Sequence, residues 1–285
     1  MICVLGPTAS GKTKYAVSLA REIGGEIISA DSRQVYRGMD IGTGKDLSQY
    51  GEVPYHLIDI VDAGTKYNVF RYQQDFEKAY QDIVSRGREP ILCGGSGLYV
   101  EAVTCGYFLP DVPADHELRA RLAELPMEEL CRRYEAIRKP HNKTDYDTRQ
   151  RLIRALEIAI YEDSHPVRHS EFAPKDARYI GISVPRDIRN ARIDERLDAR
   201  LREGMVDEVR LLLERGIAPD DLIYYGLEYK FVTLYLTGQM DYETMKERLR
   251  IAIHQFAKRQ MTWLRGMEKR RGIHIEWIEL PRDLR

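Results

Sequence analysis

The sequence predicts an α/β fold: a mainly parallel sheet flanked by helices, in the order of a P-loop NTPase-like core, with a small helical lobe inserted. Short β-rich runs alternate with helical patterns up to about residue 105 and again after residue 177. The first run leads into a glycine-rich loop and then a helix. Residues 106–176 show helical patterns without a convincing strand. We therefore expect a catalytic core domain of residues 1–105 and 177–285, and an inserted lobe of residues 106–176.

Six runs are predicted as strands and the patterns between them as helices. The strands are 2–5, 26–29, 56–61, 90–93, 179–184 and 274–280, the last at a sheet edge. The segment 73–84 predicts a helix because Phe76, Tyr80 and Ile83 share one face before Gly87 ends it. Two long helices are expected over 191–215 and 241–269. Ligands of such a sheet bind at the carboxyl ends of its strands.

Three helical patterns make up the lobe, after a predicted hinge at 109–113. Pro126 starts the second helix, and 139–142 forms the turn before the third. Apolar residues recur at helical spacing in each pattern. They are Leu118, Leu122 and Leu125, then Leu130, Tyr134 and Ile137, then Leu152, Leu156 and Ile160.

Composition excludes several classes of protein. The 44 basic and 45 acidic residues nearly cancel, so net charge favours neither nucleic acid nor a membrane surface. The four cysteines are scattered, and no cysteine or histidine spacing indicates zinc. No apolar run approaches a membrane span, and the strand at the start leaves no room for a leader. We therefore expect a cytoplasmic protein without a membrane partner.

The loop GPTASGKT at 6–13 matches the phosphate-binding pattern GxxxxGK[ST]. Its backbone N–H groups and the following helix N-terminus would surround phosphate oxygens, with Lys12 adding a charge and Thr13 a hydroxyl for Mg²⁺. An ordinary glycine-rich turn is the alternative, which the preceding strand and following helix disfavour. The predicted diphosphate-binding residues are Gly6, Thr8, Ala9, Ser10, Gly11, Lys12 and Thr13.

A long polar segment, 31–45, follows the second predicted strand beside the phosphate loop. Loops of this length are usually functional or disordered. Asp31 leaves the sheet where a carboxylate could bind Mg²⁺ through water or accept a proton from a nucleophile. A helix cap or a loop-stabilising aspartate is the alternative.

Four ordered motifs carry a family resemblance along nearly the whole chain. They are the phosphate loop followed by DSRQVYRGMDIGT at 31–43, GGSGLY at 94–99, RLIRALE at 151–157 and KRQMTWLR at 258–265. In this order they closely resemble the tRNA dimethylallyltransferases, also called tRNA isopentenyltransferases. Ser96 stands where threonine is usual and keeps the hydroxyl.

The resemblance implies that a dimethylallyl group passes from dimethylallyl diphosphate to the exocyclic amine of an adenosine beside a tRNA anticodon. It implies Asp31 as the base, and Lys12, Thr13 with Mg²⁺ and Arg196 as the groups that stabilise pyrophosphate. Arg192 and Arg196 share a helix face, although a generally charged surface with Asp194 and Glu195 nearby is the alternative.

One segment departs from the family. Tyr224–Lys230 carries Glu228 where relatives usually have glycine before Tyr-Lys or Tyr-Arg. A carboxylate near phosphate would repel it unless paired, and Lys230 is the expected partner. Tyr229 and Lys230 are kept, and Lys230 is expected to bind diphosphate.

Local basic patches favour tRNA as the acceptor, with its anticodon arm between the lobes and its adenosine out of the stack. Trp263 is expected to stack on a base, with the buried stripe of an amphipathic helix, shared with Phe256 and Leu264, as the alternative. For Phe256, the buried stripe of an amphipathic helix is favoured over stacking. The predicted tRNA-binding residues are Asp31, Ser32, Arg33, Gln34, Ser96, Gln150, Arg151, Arg154, Lys258, Arg259, Trp263 and Arg265, with Arg149 in the same patch.

Three other functions are compatible with parts of the sequence. An adenylate isopentenyltransferase would use free AMP, ADP or ATP, and a P-loop kinase would fit the first thirty residues alone. A non-catalytic RNA-binding relative would explain Glu228, but Lys12, Thr13 and Asp31 are intact. We expect a monomer.

Overall fold

The computed structural model describes residues 1–107, 112–138, 148–165 and 172–280. The chain divides into two compact units, Met1–Tyr107 with Ala173–Arg285, and Phe108–Phe172. The units join at 107/108 and 172/173, against the expected 105/106 and 176/177. Most of the predicted hinge at 109–113 and all of the predicted turn at 139–142 lie outside the described residues.

A six-stranded sheet in the order β4-β2-β6-β1-β7-β8 forms the centre of the first unit, and every neighbouring pair is parallel. This confirms the predicted fold class. The strands in chain order are β1 (Ile2–Leu5), β2 (Glu26–Ala30), β3 (Tyr36–Arg37), β4 (Tyr55–His56), β5 (Val61–Asp62), β6 (Pro90–Gly94), β7 (Arg178–Ser183) and β8 (Ile275–Glu279). β3 and β5 pair separately.

The predicted strand 56–61 is wrong as a single element. It consists of β4 and β5, which belong to different sheets. Leu57 and Asp59, between them, have φ of 62° and 56°, a left-handed conformation that cannot continue a strand. The apolar pattern correctly predicted that these residues are buried, as Leu57 and Ile58 are, but it wrongly predicted an extended backbone.

Helices cover the sheet of the first unit. They are α1 (Lys12–Ile23), α2 (Val69–Ser85), α3 (Gly97–Thr104), α7 (Arg186–Arg202), α8 (Met205–Glu214), α9 (Pro219–Tyr224), α10 (Leu227–Leu236) and α11 (Tyr242–Arg271). The predicted single helix 191–215 is wrong, because Gly204 has φ of 100° and separates α7 from α8. Within the described residues, no helix has the length and apolar character needed to cross a membrane.

The second unit contains α4 (His116–Ala123), α5 (Met127–Ile137) and α6 (Arg149–Ser164). Their apolar faces form one cluster around Leu130, Leu152 and Leu156. Asp115 and Thr148 cap α4 and α6 by accepting backbone N–H groups. The three helical patterns of the sequence are therefore all present.

Parallel register brings three strand ends together. Leu5 of β1 and Ala30 of β2 both pair with Gly94 of β6. The residues that follow these strands, which begin the phosphate loop, the Asp31 segment and the Gly95 turn, consequently meet at one edge of the sheet.

Candidate active site

A cavity of about 680 Å³ lies at this edge of the sheet, within the first unit. It is lined by the phosphate loop, by segments 31–34 and 42–50, and by residues of α7, α10 and α11. Twelve of the predicted site residues are among its lining: Thr8, Ala9, Ser10, Gly11, Lys12, Thr13, Asp31, Ser32, Arg33, Gln34, Ser96 and Arg196. Gly6 lies beneath the loop, where a side chain would come within 2.7 Å of the Ser10 hydroxyl.

The phosphate loop is held in an unusual backbone conformation. Ala9 and Gly11 have φ of 59° and 87°. The N–H of Thr8 donates to Oε1 of Gln260 at 2.8 Å, and Nε2 of Gln260 donates to the carbonyl of Gly95 at 3.1 Å. Gln260, which is buried in α11, therefore joins two of the loops at the strand ends. The buried hydroxyl of Ser10 has no hydrogen-bond partner among the described residues.

Lys12 is the cation at the base of the cavity. Its ammonium lies 3.4 Å from the carbonyl of Pro7. Burial lowers its pKa, while the negative charge of Asp31 acts in the opposite direction. An anion bound beside Lys12 would favour its charged form, which is the electrostatic requirement of a phosphate site.

Asp31 lines the same cavity at the end of β2. Its Oδ1 accepts the N–H of Arg33 at 2.9 Å. The backbone N–H of Ser32, the residue after Asp31, donates to the hydroxyl of Ser96 at 3.2 Å. Gln34 donates through Nε2 to the carbonyl of Gly44 at 3.3 Å. These contacts fix the backbone that carries the predicted base.

Three arginines of α7, Arg192, Arg196 and Arg200, form a cationic wall of the cavity. Nη2 of Arg196 lies 3.3 Å from Oδ2 of Asp46. Burial, and then the neighbouring Arg200, lower the pKa of Arg196 to about 10. Gly44 packs against Arg196 and Arg200, and any side chain there would collide with the Arg200 guanidinium. The wall is thus built for a ligand of negative charge.

Glu228 is an acidic residue on this wall. Its Oε1 lies 4.0 Å from Nη1 of Arg200, and burial raises its pKa. The expected pairing with Lys230 is wrong. Lys230 is exposed, its ammonium lies 5.6 Å from the ring centroid of Phe231, and it is not among the residues that line the cavity.

Comparison with known proteins assigns the chain to a family. The IPP transferase family model matches residues 34–267, and an isopentenyl transferase model matches residues 1–53. The chain is 60% identical over 289 residues to tRNA dimethylallyltransferase 1 of Porphyromonas gingivalis, covering 99% of this chain and 95% of that protein. The chain belongs to the IPP transferase family. A second relative of the family, tRNA dimethylallyltransferase 1 of Parabacteroides distasonis, is 56% identical, with 98% of this chain and 92% of that protein covered.

Solved structures of the family share the fold. The tRNA isopentenylpyrophosphate transferase of Bacillus halodurans is 35% identical, with a TM-score of 0.73, and covers 99% of this chain and 91% of its own. A eukaryotic dimethylallyltransferase acting on tRNA is 23% identical with a TM-score of 0.78 over 98% of this chain and 73% of its own, and shows the same fold.

Sequence analysis did not identify Glu208 of α8 as a residue that shapes the cavity. Its carboxylate accepts the N–H groups of Asp40, Ile41 and Gly42 at 2.8, 2.7 and 3.0 Å, and the hydroxyl of Tyr229 at 2.7 Å. It therefore holds the glycine-rich segment that lines the cavity. No local signal distinguishes this glutamate from the other acids of an amphipathic helix.

Two aromatic residues of α11, Phe256 and Trp263, are partly exposed. Phe256 is 39% exposed and lines the cavity, so its predicted burial is wrong. Trp263 packs on Gly97, where a side chain would overlap the indole, and the guanidinium of Arg270 lies 5.2 Å from its ring. Trp263 is nevertheless 37% exposed, which leaves part of its surface open to a ligand.

The remaining predicted tRNA-binding residues lie outside the cavity. Lys258, Arg259 and Arg265 are exposed along α11. In the second unit, Gln150 and Arg151 are exposed, whereas Arg149 donates to the carbonyls of Ala123 and Leu125. Arg154 donates to Glu157 and, at 2.8 Å, to the carbonyl of Val112. Arg149 and Arg154 therefore have structural partners within the unit.

Proposed function

We propose that the protein transfers a dimethylallyl group from dimethylallyl diphosphate to the N6 amine of the adenosine adjacent to the anticodon in tRNA, releasing pyrophosphate. One observation carries this proposal: the phosphate loop, the Asp31 carboxylate and the arginine wall line a single cavity. The names of the related tRNA dimethylallyltransferases support the choice of acceptor and donor.

The phosphate loop and the arginine wall would bind the diphosphate. Backbone N–H groups at the N-terminus of α1 recognise phosphate whatever group is attached to it, so the same loop serves ATP in kinases and a prenyl diphosphate here. Lys12 and Arg196 would stabilise the charge that develops on pyrophosphate as it leaves. Because they act on developing charge, they favour the transition state over the bound substrate.

Asp31 would act as the general base. The amine nitrogen of adenosine forms a bond to the first carbon of the dimethylallyl group, the carbon–oxygen bond to pyrophosphate breaks, and the amine proton passes to the carboxylate. The N–H of Arg33 donates to this carboxylate, and Asp31 lines the same cavity as the phosphate loop.

The donor set fits a magnesium ion. The Thr13 hydroxyl lines the cavity and supplies the hard oxygen ligand that Mg²⁺ prefers. Among the described residues no group of three or more histidine, cysteine or acidic side chains is placed to hold a metal, so diphosphate and water would complete the coordination. When bound, the ion would add positive charge beside the diphosphate.

The anticodon arm of tRNA would contact the exposed basic residues. Lys258, Arg259 and Arg265 are placed for phosphate contacts, which would make binding salt-dependent. The adenosine must leave its stack to reach Asp31. Phe256 lines the cavity, and the exposed ring of Tyr224 lies against the cavity residue Arg33, so both would offer aromatic surface to a base.

We further propose that the protein acts as a monomer in the cytoplasm, where tRNA is found. Sedimentation of the active enzyme at assay concentration would test the oligomeric state.

The decisive experiment offers labelled dimethylallyl diphosphate and Mg²⁺ with unmodified tRNA, and separately with AMP or ATP. We expect label in tRNA, lost when the adenosine beside the anticodon is replaced. Label in the free nucleotide would instead indicate an adenylate isopentenyltransferase. Label in neither, with turnover of ATP, would indicate a kinase.

An Asp31→Asn variant tests the base. We expect its turnover number to fall by about 10² to 10⁴ fold, while tRNA affinity stays near that of the wild type. Asp220→Asn, which changes an exposed carboxylate that does not line the cavity, is the control and should keep the wild-type turnover number. Equal losses of transfer and tRNA binding would reject the assignment.

A further inference from the structure

Glu228 is placed among the cations that would bind diphosphate. It lines the main cavity with Lys12, Arg196 and Arg200. It also borders a second, small cavity together with Thr8 and Ala9 of the phosphate loop and the same two arginines. Its side chain is 21% exposed, so its charge is only partly screened by solvent.

The contact between Glu228 and Arg200 is long for an ion pair inside a protein. The nearest atoms are 4.0 Å apart, whereas Arg119 and Glu157 approach to 2.7 Å with two hydrogen bonds. Arg200 donates no hydrogen bond to another residue that the structure describes. Its guanidinium donors are therefore available to an incoming phosphate oxygen.

Both partners are held in place by other contacts. Gly44 packs against the Arg200 guanidinium, and Glu208 fixes the segment that carries Gly44 through three backbone N–H groups. Glu228 lies in the first turn of α10, whose next residue, Tyr229, is buried and also bonded to Glu208. The backbone positions from which both charges extend are therefore fixed by Glu208 and by burial of Tyr229.

We propose that Glu228 is a built-in counter-anion of the arginine wall, which competes with the diphosphate for Arg200 and thereby weakens binding of the product pyrophosphate. This inference rests on the proposed function, because it assigns the arginine wall to diphosphate. Binding substrate and product tightly and equally does not accelerate the chemical step, and slow product release limits many enzymes. A fixed carboxylate beside the wall lowers affinity for any polyanion and so favours release.

The electrostatics of Glu228 are consistent with this role. Burial raises its pKa, Arg200 and Arg196 lower it, and Asp31 raises it. The two arginines thus oppose the effect of burial on this carboxyl group, and they are the same cations that a diphosphate would use. The other acids that line the cavity are Asp31, Asp46 and Glu195, and Glu195 is exposed.

Isothermal titration with sodium pyrophosphate at pH 8 tests the proposal without tRNA or prenyl donor. Glu228→Gln keeps the shape and removes the charge, and we expect its Kd for pyrophosphate to fall about tenfold. Glu228→Asp keeps the charge and should stay within about threefold of the wild type. Glu195→Gln, the matched control on the exposed part of the wall, should also stay within about threefold.

A double-mutant cycle with Arg200→Gln identifies the partner. In that background Glu228→Gln should change the Kd by less than about twofold, because the competing cation is absent. In the assay, product inhibition by pyrophosphate should become about tenfold stronger for Glu228→Gln. Far-ultraviolet circular dichroism of each variant checks the fold.

A Kd for Glu228→Gln equal to or weaker than that of the wild type would overturn the inference, as would an unchanged effect in the Arg200→Gln background. If Glu228→Gln fails to fold, a Glu228→Asp variant that binds pyrophosphate tenfold more tightly would overturn it too. Failure of the proposed function is distinguishable: the wild type would then bind pyrophosphate but transfer no label to tRNA.

Discussion

Arginines of the helical unit and arginines of the cavity wall are partnered in opposite ways. In the helical unit, Arg119 makes two hydrogen bonds of 2.7 and 2.8 Å to the buried carboxylate of Glu157, which also accepts from Arg154. On the cavity wall, Arg196 reaches Asp46 at 3.3 Å and Arg200 reaches Glu228 only at 4.0 Å. Satisfied arginines stabilise a fold, and incompletely satisfied ones bind ligands.

This difference divides basic residues that look alike in the sequence. Arg154 and Arg196 both lie in charged helices, and both were predicted to bind a substrate. Only Arg196 faces a cavity, whereas Arg154 bridges Glu157 and the carbonyl of Val112. We therefore expect their substitution to change different properties of the enzyme.

Among the arginines compared here, the largest expected effect is the loss of transfer in Arg196→Gln. Removing a charged donor to the leaving pyrophosphate should lower kcat/KM for dimethylallyl diphosphate by about 10² to 10³ fold. The melting temperature should not fall, since burial already lowers the pKa of Arg196 to about 10 and disfavours its charge. Steady-state kinetics with saturating tRNA, and thermal melts, provide the two measurements.

Arg210→Gln is the control for that variant. Arg210 lies on the neighbouring helix α8, is paired with Asp207, and does not line the cavity. It should retain wild-type kinetics. A comparable loss of kcat/KM in both variants would contradict the prediction, because the loss would then follow from removal of any positive charge and not from the place of Arg196 in the cavity.

A large effect of a different kind is expected for Glu157→Gln. The carboxylate is 2% exposed, and its removal leaves Arg119 and Arg154 without their anion, which should destabilise the helical unit by about 3 kcal/mol. Hydrogen exchange of α4, α5 and α6 should accelerate, while pyrophosphate affinity stays unchanged. Glu129→Gln, which breaks only surface pairs with Arg132 and Arg133, should leave the stability of the unit close to that of the wild type.

Much of the catalytic cavity could be predicted from sequence because its parts are local. The phosphate loop is one continuous segment after a strand, and Asp31 directly follows another, so the parallel sheet brings them together. Glu208 could not be predicted from the sequence. Its partners Asp40, Ile41 and Gly42 are more than 160 residues away, and they donate through backbone N–H groups, which do not depend on the residue type.

The errors of prediction have similar causes. Helical periodicity placed Phe256 on an apolar stripe, but α11 passes the cavity, and a face directed at a cavity is apolar without being buried. Periodicity also continued through Gly204, although a glycine with positive φ ends α7 there. Lys230 was predicted to pair with Glu228 because it is the nearest cation in the sequence. Residues two apart on a helix point to different sides, so the two side chains do not meet.

A smaller, pH-dependent effect sharpens the comparison within the first unit. Glu26, away from the cavity, is paired like Glu157: Arg86 donates to it at 2.8 Å and His56 lies at the same distance. Hydrogen bonds from Arg86 hold its pKa at about 2, below the ordinary 4.5. The ionised form is therefore stabilised in the folded state, and this stability is present above pH 4.5 and lost as pH falls toward 2.

Urea unfolding of wild type and Glu26→Gln between pH 6.5 and pH 3 would measure that contribution. We expect the wild type to be more stable at pH 6.5 and the difference to shrink as pH falls below about 4.5. A constant difference over this range would mean that Glu26 contributes through shape and not through charge. The contrast between ligand-binding and structural pairing would then hold for Glu157 alone.

The smallest effect is expected for Lys230→Gln, which tests whether proximity in sequence or in space decides the role of a cation. Lys230 is two residues from Glu228, yet its ammonium is exposed beside the ring of Phe231 and outside the cavity lining. An exposed charge is screened by water and salt, so the Kd for pyrophosphate should change less than about twofold. Lys12→Gln, which removes the buried cation of the phosphate loop, should weaken binding more than about tenfold in the same titration. If Lys230→Gln weakened pyrophosphate binding as much as Lys12→Gln, the Lys230 side chain would have to enter the cavity when the ligand binds. The contacts that a cation makes in the unliganded fold would then no longer distinguish the arginines and lysines that bind ligand from those that do not.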